Sequence, residues 1–153
     1  MKKLLSLIIV FTTILSVLCF NASAVNTATS ETIYLDDGSY IIVSVVEIAD
    51  ICRAANTKSG QKNYTYYDSD NTMLWKATLS ASFTYTGDSA ACTSSSITHT
   101  VYDSAWKITE ATATKSGNKA TGDVTAKRYV LGIAFKTIEQ TITLTCSASG
   151  VLS

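Results

Sequence analysis

The chain has 153 residues, with 12 Lys+Arg against 12 Asp+Glu and only 16% charged residues. That length suits one domain, or one domain with a short appendage, and the balanced charge without a Lys/Arg cluster gives no electrostatic basis for a nucleic-acid partner. Proline is absent, Thr, Ser, Val, Ile and Tyr are abundant and Glu is scarce, which favours sheet over helix.

The N-terminus reads as a signal peptide spanning 1–24. Met1-Lys2-Lys3 is a positive leader, Leu4 to Phe20 is an apolar run, and Ala22-Ser23-Ala24 is an A-x-A cleavage site that leaves Val25 as the first mature residue. An uncleaved anchor is the competing reading, but the run is at the short limit for a spanning helix. Lipidation at Cys19 is disfavoured by the bulky Leu18 before it. Cleavage removes Lys2 and Lys3, so the mature chain has 10 Lys+Arg against 12 Asp+Glu, a balance of −2.

Val25–Ser30 is polar and is expected to be a mobile leader. Glu31–Leu35 and Ser39–Glu47 are β-rich and flank Asp36-Asp37-Gly38, which signals an N-terminal hairpin. Ile48–Lys62 reads as a linker with one helical turn. These segments form a first region, 25–62, ahead of a β-sandwich domain at 63–153.

The second region is more strongly patterned. Asn63–Tyr67 is a strand, and Asp68-Ser69-Asp70-Asn71 is a turn whose side chains suit bonds to their own backbone. Thr72–Thr86 places Met73, Trp75, Ala77, Leu79, Ala81, Phe83 and Tyr85 on one face, with Leu74 the one exception to the alternation. A straight strand of that length would reach ~50 Å, so a bend is expected at the small side chains of Ala77–Ala81. Ser95–Asp103 follows. Trp106–Lys115 and Lys119–Val130 bracket Ser116-Gly117-Asn118, and Leu131-Gly132 turns the chain into Ile133–Cys146. Ile138, Ile142, Leu144 and Cys146 share one face of that last strand with Lys136 and Gln140. The tail Ser147–Ser153 is short and polar.

The pattern as a whole points to an all-β fold, an antiparallel β-sandwich that is Ig-like in a loose sense. Too few residues follow Cys146 for a final strand, and Leu144 stands where a tyrosine corner would need Tyr.

Cys52, Cys92 and Cys146 remain in the mature chain, an odd number in an oxidising compartment. A disulfide between Cys92 and Cys146 is the favoured pairing, since both end strand-like segments. Cys52 is left as a buried apolar thiol or as a thiol that pairs with another chain. His99 is the single histidine, and Ile97 and Val101 place it on an apolar strand face. A core-edge histidine with a satisfied hydrogen bond is the plain reading, because nothing marks a nucleophile beside it. G-x-S-x-G, H-E-x-x-H, C-x-x-C and the P-loop pattern are all absent. Asp68, Asp70 and Asn71 resemble the opening of a Ca²⁺ loop, but Met73 occupies the glycine position. No catalytic, metal or cofactor site is therefore assigned. Tyr64, Tyr66, Tyr67, Trp75, Tyr102 and Trp106 are candidates for a sugar-stacking platform, with Tyr64 and Tyr66 the best exposed pair.

The runs ETIYLDDGSY, TKSGQKNYTYY, LWKATLSASFTYTG, YDSAWKI, KSGNKATG and ITLTCSASG together resemble a group of small secreted proteins of Gram-positive bacteria without an assigned function. The resemblance implies export and a β-rich fold and transfers no active site. The expectation is a secreted or cell-surface, non-enzymatic β-sandwich that meets an extracellular ligand, with cell-wall or host glycans as candidates and no membrane contact after signal cleavage. A bacteriocin-like or membrane-active effector is the alternative, motivated by the Ala/Thr-rich hairpin Trp106–Val130.

Overall fold

Trp75, Ala77, Leu79, Ala81 and Phe83 alternate with Lys76, Thr78, Ser80, Ser82 and Thr84, and the first set is buried. A strand with one dry face needs a second layer to cover it. The structure, a computed structural model, describes residues 23–50 and 56–153. Within them, eight strands supply two antiparallel layers. The first sheet holds β1 (Ser23–Tyr34), β2 (Tyr40–Asp50), β3 (Thr57–Tyr67), β4 (Met73–Tyr85) and β5 (Ala90–Val101) in that order. The second holds β6 (Trp106–Ser116), β7 (Lys119–Val130) and β8 (Ile133–Thr145).

The all-β sandwich is thus the observed architecture. Consecutive strands are neighbours in both sheets, so the connectivity is a meander. The likeness to immunoglobulin domains stops at the layering, because those domains use Greek-key connections.

The region 25–62 is joined to the rest. Val25–Ser30, expected as a mobile leader, lies in β1 and pairs with β2. The expected linker is largely strand, since β2 runs to Asp50 and β3 starts at Thr57. Lys62 and Asn63 are consecutive inside β3, so no boundary falls there. β2 and β3 each have two ladder neighbours, which outweigh the weak helical preference of the linker residues. Residues 1–22 of the expected signal peptide 1–24, with Cys19, and also Cys52 lie outside the described residues, and the expected cleavage point after Ala24 falls inside β1.

The bend in β4 is not at Ala77–Ala81, where both ladders run in register. Bulges lie at each end instead. One inserts Leu74 opposite the Tyr66/Tyr67 step, and the other inserts Thr93 of β5 opposite Ser82/Phe83. The first explains the break in the alternation. An extra residue switches parity, so Met73 pairs with Tyr67 on the outer face while Trp75 pairs with Tyr66 on the inner one.

The core lies between the layers, where Trp75, Leu79, Phe83, Val124, Ile142 and Leu144 are fully buried. Each such side chain contributes about 1.5–3 kcal/mol of burial. Close approach needs small residues on the three-stranded sheet. Ala111, Ala113, Ala120 and Ala126 face inward with Gly122, where an added Cβ would lie 2.8 Å from the Ile97 Cδ1 and 3.2 Å from the Leu79 Cδ1. The Ala/Thr alternation of Trp106–Val130 is therefore a packing pattern. Ile41 and Val43 of β2 are buried in the same core. The tail folds back beside β8 through a Cys146–Leu152 bridge and lays Leu152 over Gly60 of the larger sheet.

Candidate binding surface at one end of the sandwich

A meander returns alternate turns to the same end. The β1–β2, β3–β4, β5–β6 and β7–β8 turns therefore gather at one pole. Tyr102 and Asp103 donate backbone N–H bonds to the Leu74 carbonyl, and Tyr129 donates to that of Ala105, which ties three of the turns together.

The first turn is built by Asp37 and Gly38. Gly38 takes φ +80 and its N–H reaches the Leu35 carbonyl at 3.1 Å, closing a three-residue hairpin loop. The third-to-fourth strand turn is built by Asp68. Its Oδ1 accepts from the backbone N–H of Asp70 at 3.0 Å and of Thr72 at 2.8 Å. The turn reading of this Asp-rich stretch is the one observed, and its carboxylate is committed to backbone donors.

Beside these turns the outer face of the larger sheet carries a row of three tyrosines. Tyr34 pairs with Tyr40 across β1–β2, and Tyr40 pairs with Tyr67 across β2–β3. The rings of Tyr40 and Tyr67 stack at 5.0 Å and 8°, and Tyr34 continues the row at 5.8 Å, tilted by 46°. Tyr34 is 76% exposed. The Tyr40 hydroxyl donates to Asn71 Oδ1 at 3.0 Å, which docks the Asp-rich turn against the row. Desolvation by neighbouring groups, then the phenols of Tyr67 and Tyr34, raise the pKa of Tyr40.

On the inner side of the same end, Tyr66 is 1% exposed. It lies between Trp75, stacked at 5.5 Å, and Trp106, edge-on at 5.2 Å. Its hydroxyl donates to Ser39 Oγ at 2.9 Å and accepts from Lys136 Nζ at 2.8 Å. Lys136 also pairs with Asp37, and Ser39 donates to the same carboxylate. The hydrogen bond from Lys136, then that from Ser39, holds the Asp37 carboxyl well below its usual range. Burial works against the Lys136 charge, but its bonds to Asp37 and Tyr66 outweigh that and raise its pKa. Both indole N–H groups beside Tyr66, on Trp75 and Trp106, are buried without a hydrogen-bond partner among the described residues. A cleft of about 420 Å³ opens beside the network between Leu35–Asp37 and Lys136–Gln140.

The residues expected from sequence fall differently. Tyr66 is a core residue and not half of an exposed pair, because its face of β3 lies under the smaller sheet. Tyr64 is half-buried on that same face, opposite Val43 and Ala77, and burial and then Glu31 raise its pKa. His99 shares a face with Ile97 and Val101 as expected, but on the edge strand β5 it is exposed, while Ile97 and Val101 are partly buried against the core. Among the described residues Cys92 and Cys146 are free thiols, so the expected disulfide between them is not formed. Each Sγ is turned to a carbonyl of its own segment, Ser94 for Cys92 and Ser147 for Cys146. The two cysteines flank the β6–β7 turn, binding Gly117 and Asn118 respectively through their backbone N–H groups.

Tyr34 and Tyr40 were the functional candidates missed in the sequence. A hairpin centred on Asp37 sets them directly opposite each other, so the D-D-G signal contained their pairing. Tyr67 was among the candidates, and its parity, opposite to that of Tyr64 and Tyr66, places it on the outer face. Comparison with known protein families, with characterised proteins and with solved structures returned no match for this chain.

Proposed function

We propose that this chain is an exported, non-enzymatic binding module that holds extracellular glycans on the Tyr34–Tyr40–Tyr67 row. The observation that carries the reading is the row itself. Three phenol rings lie side by side on the outer sheet face, and the Asp68–Asn71 turn brings amide and carboxylate groups to its edge. Aromatic faces engage the C–H faces of sugar rings, and adjacent polar groups select hydroxyl orientation. Export follows from the signal-like N-terminus and agrees with the resemblance to small secreted β-proteins.

The test is retention of the protein on isolated cell walls and insoluble polysaccharides, with bound and free fractions measured. Retention is expected to persist in ~1 M salt, where the screening length is about 3 Å, and to fall about tenfold in Tyr34→Ala and Tyr67→Ala. Absence of retention on every material, or equal retention of both variants, overturns the reading. A catalytic alternative would require activity that disappears in His99→Ala.

A further inference from the structure

The tip of the β7–β8 hairpin is built against the ordinary rules for a solvent-facing turn. Leu131 and Gly132 form its two-residue loop with φ +51 and +83. Such a loop takes Asn-Gly or Asp-Gly by preference, since short polar side chains tolerate the left-handed region. Here a leucine takes that conformation while 99% exposed. Ile133 is 73% exposed and Phe135 75%, and Val130 is exposed as well. Phe135 is the extra residue of a bulge opposite Arg128/Tyr129, and bulges of this kind re-aim a side chain. A strained backbone and four uncovered apolar side chains at one tip stabilise nothing within the fold.

Three cations stand just behind the tip. Lys107 pairs with Lys127 across β6–β7, and Arg128 is the next residue along. None of the three has a carboxylate partner among the described residues. Lys107 instead lies over the Tyr129 ring at 5.3 Å. The nearby acids are engaged elsewhere, Asp37 by Lys136 and Asp103 by the Ala105 N–H. No Asp or Glu occurs between Val124 and Ile138. Arg128 is three residues from Leu131, ~10 Å along an extended strand, which matches the depth of about 5–10 Å to which interfacial segments sink below the headgroups.

We infer that the Val130–Phe135 tip inserts into the interface of anionic lipid bilayers, with Lys107, Lys127 and Arg128 at headgroup level. This goes beyond glycan binding and beyond the expectation that the processed chain leaves the membrane. The β6–β8 hairpins keep their fold on the surface, so the attachment is peripheral and opens no pore.

The test is hydrogen–deuterium exchange of the full chain with and without vesicles of phosphatidylcholine containing phosphatidylglycerol. The readout is local to peptides covering 129–135, so the apolar Leu4–Phe20 run cannot produce it. Vesicles are expected to slow exchange there at least tenfold, and phosphatidylcholine alone to slow it less. The double variant Leu131→Asn, Phe135→Ser is expected to abolish the slowing while keeping the hairpin, because Asn suits the left-handed position. Unslowed exchange at 129–135, equal slowing in the double variant, or equal slowing by protein concentration without vesicles would each overturn the inference. The last outcome would assign the tip to a second copy of the chain. Glycan retention is measured separately on the tyrosine row, so either reading can fail alone.

Discussion

Lys136 on β8 donates to the phenol oxygen of Tyr66 on β3 at 2.8 Å, and its Nζ lies 5.4 Å from the centre of the same ring. One lysine thereby joins the two sheets at the end where the functional candidates gather. The contact gives Tyr66 a structural role that its sequence context does not announce.

Truncating Tyr66 should accordingly be read as a core mutation. Tyr66→Ala is expected to destabilise by about 3–5 kcal/mol. Tyr66→Phe, which leaves Lys136 and Ser39 short of a partner, is expected to destabilise by about 1–2 kcal/mol. Urea melts of the two variants against the parent provide the check. A Tyr66→Ala protein as stable as the parent would contradict the burial.

The Asp37–Lys136 pair predicts a feature of the acid limb. The Asp37 pKa is lowered from 3.8 in the folded chain. Its stabilisation is therefore fully present above the ordinary carboxylate range and is lost as pH falls from there toward the folded value. Asp37 is largely exposed, so the effect is small, about 0.5–1 kcal/mol. Thermal melts of Asp37→Asn should fall below the parent at pH 6, and the gap should narrow steadily as pH falls below the ordinary carboxylate range toward the folded value. A constant gap across that range would show that the ion pair is not the cause.

Gly122→Ala tests the close approach of the layers. Its Cβ would meet the side chains of Ile97 and Leu79 at 2.8 and 3.2 Å, both already packed. Overpacking of this kind costs about 1–3 kcal/mol. Gly117→Ala is a useful comparison, since no atom lies near its Cβ and only its φ of +55 resists substitution. Equal melting temperatures for Gly122→Ala and the parent would show that the sheets sit further apart.

The thiols should differ in accessibility and share a low reactivity. Burial raises the pKa of both Cys92 and Cys146, so little thiolate is present at pH 7. Cys146 is fully buried, and Cys92 is partly exposed. Iodoacetamide followed by peptide mass spectrometry should label Cys92 slowly in the folded chain. Cys146 should be labelled only after unfolding, with no reductant needed. Failure to label either without reductant would restore the disulfide.

His99→Ala should be silent. The side chain is exposed on an edge strand, and surface substitutions of this kind stay within about 0.5 kcal/mol. A loss of glycan retention in this variant, with unchanged melting, would move the binding surface to β5.

Strand content and most strand positions were legible in the sequence, because a half-buried strand writes its face into alternate residues, as Trp75 to Phe83 and Ile138 to Cys146 do. The turns at Asp36–Gly38, Asp68–Asn71 and Ser116–Asn118 were legible for a related reason, since their conformations select glycine and short polar side chains. The bulge at Leu74 was not, because only pairing with β3 shows which residue is extra, and with it went the true face of Met73. Sequence periodicity placed Tyr64 and Tyr66 together and His99 beside Ile97, but not which of these faces a second sheet would cover. Burial is a property of the neighbouring layer. The Tyr34–Tyr40–Tyr67 row and the exposed Leu131 tip likewise depended on which ends and faces the assembled sheets left open.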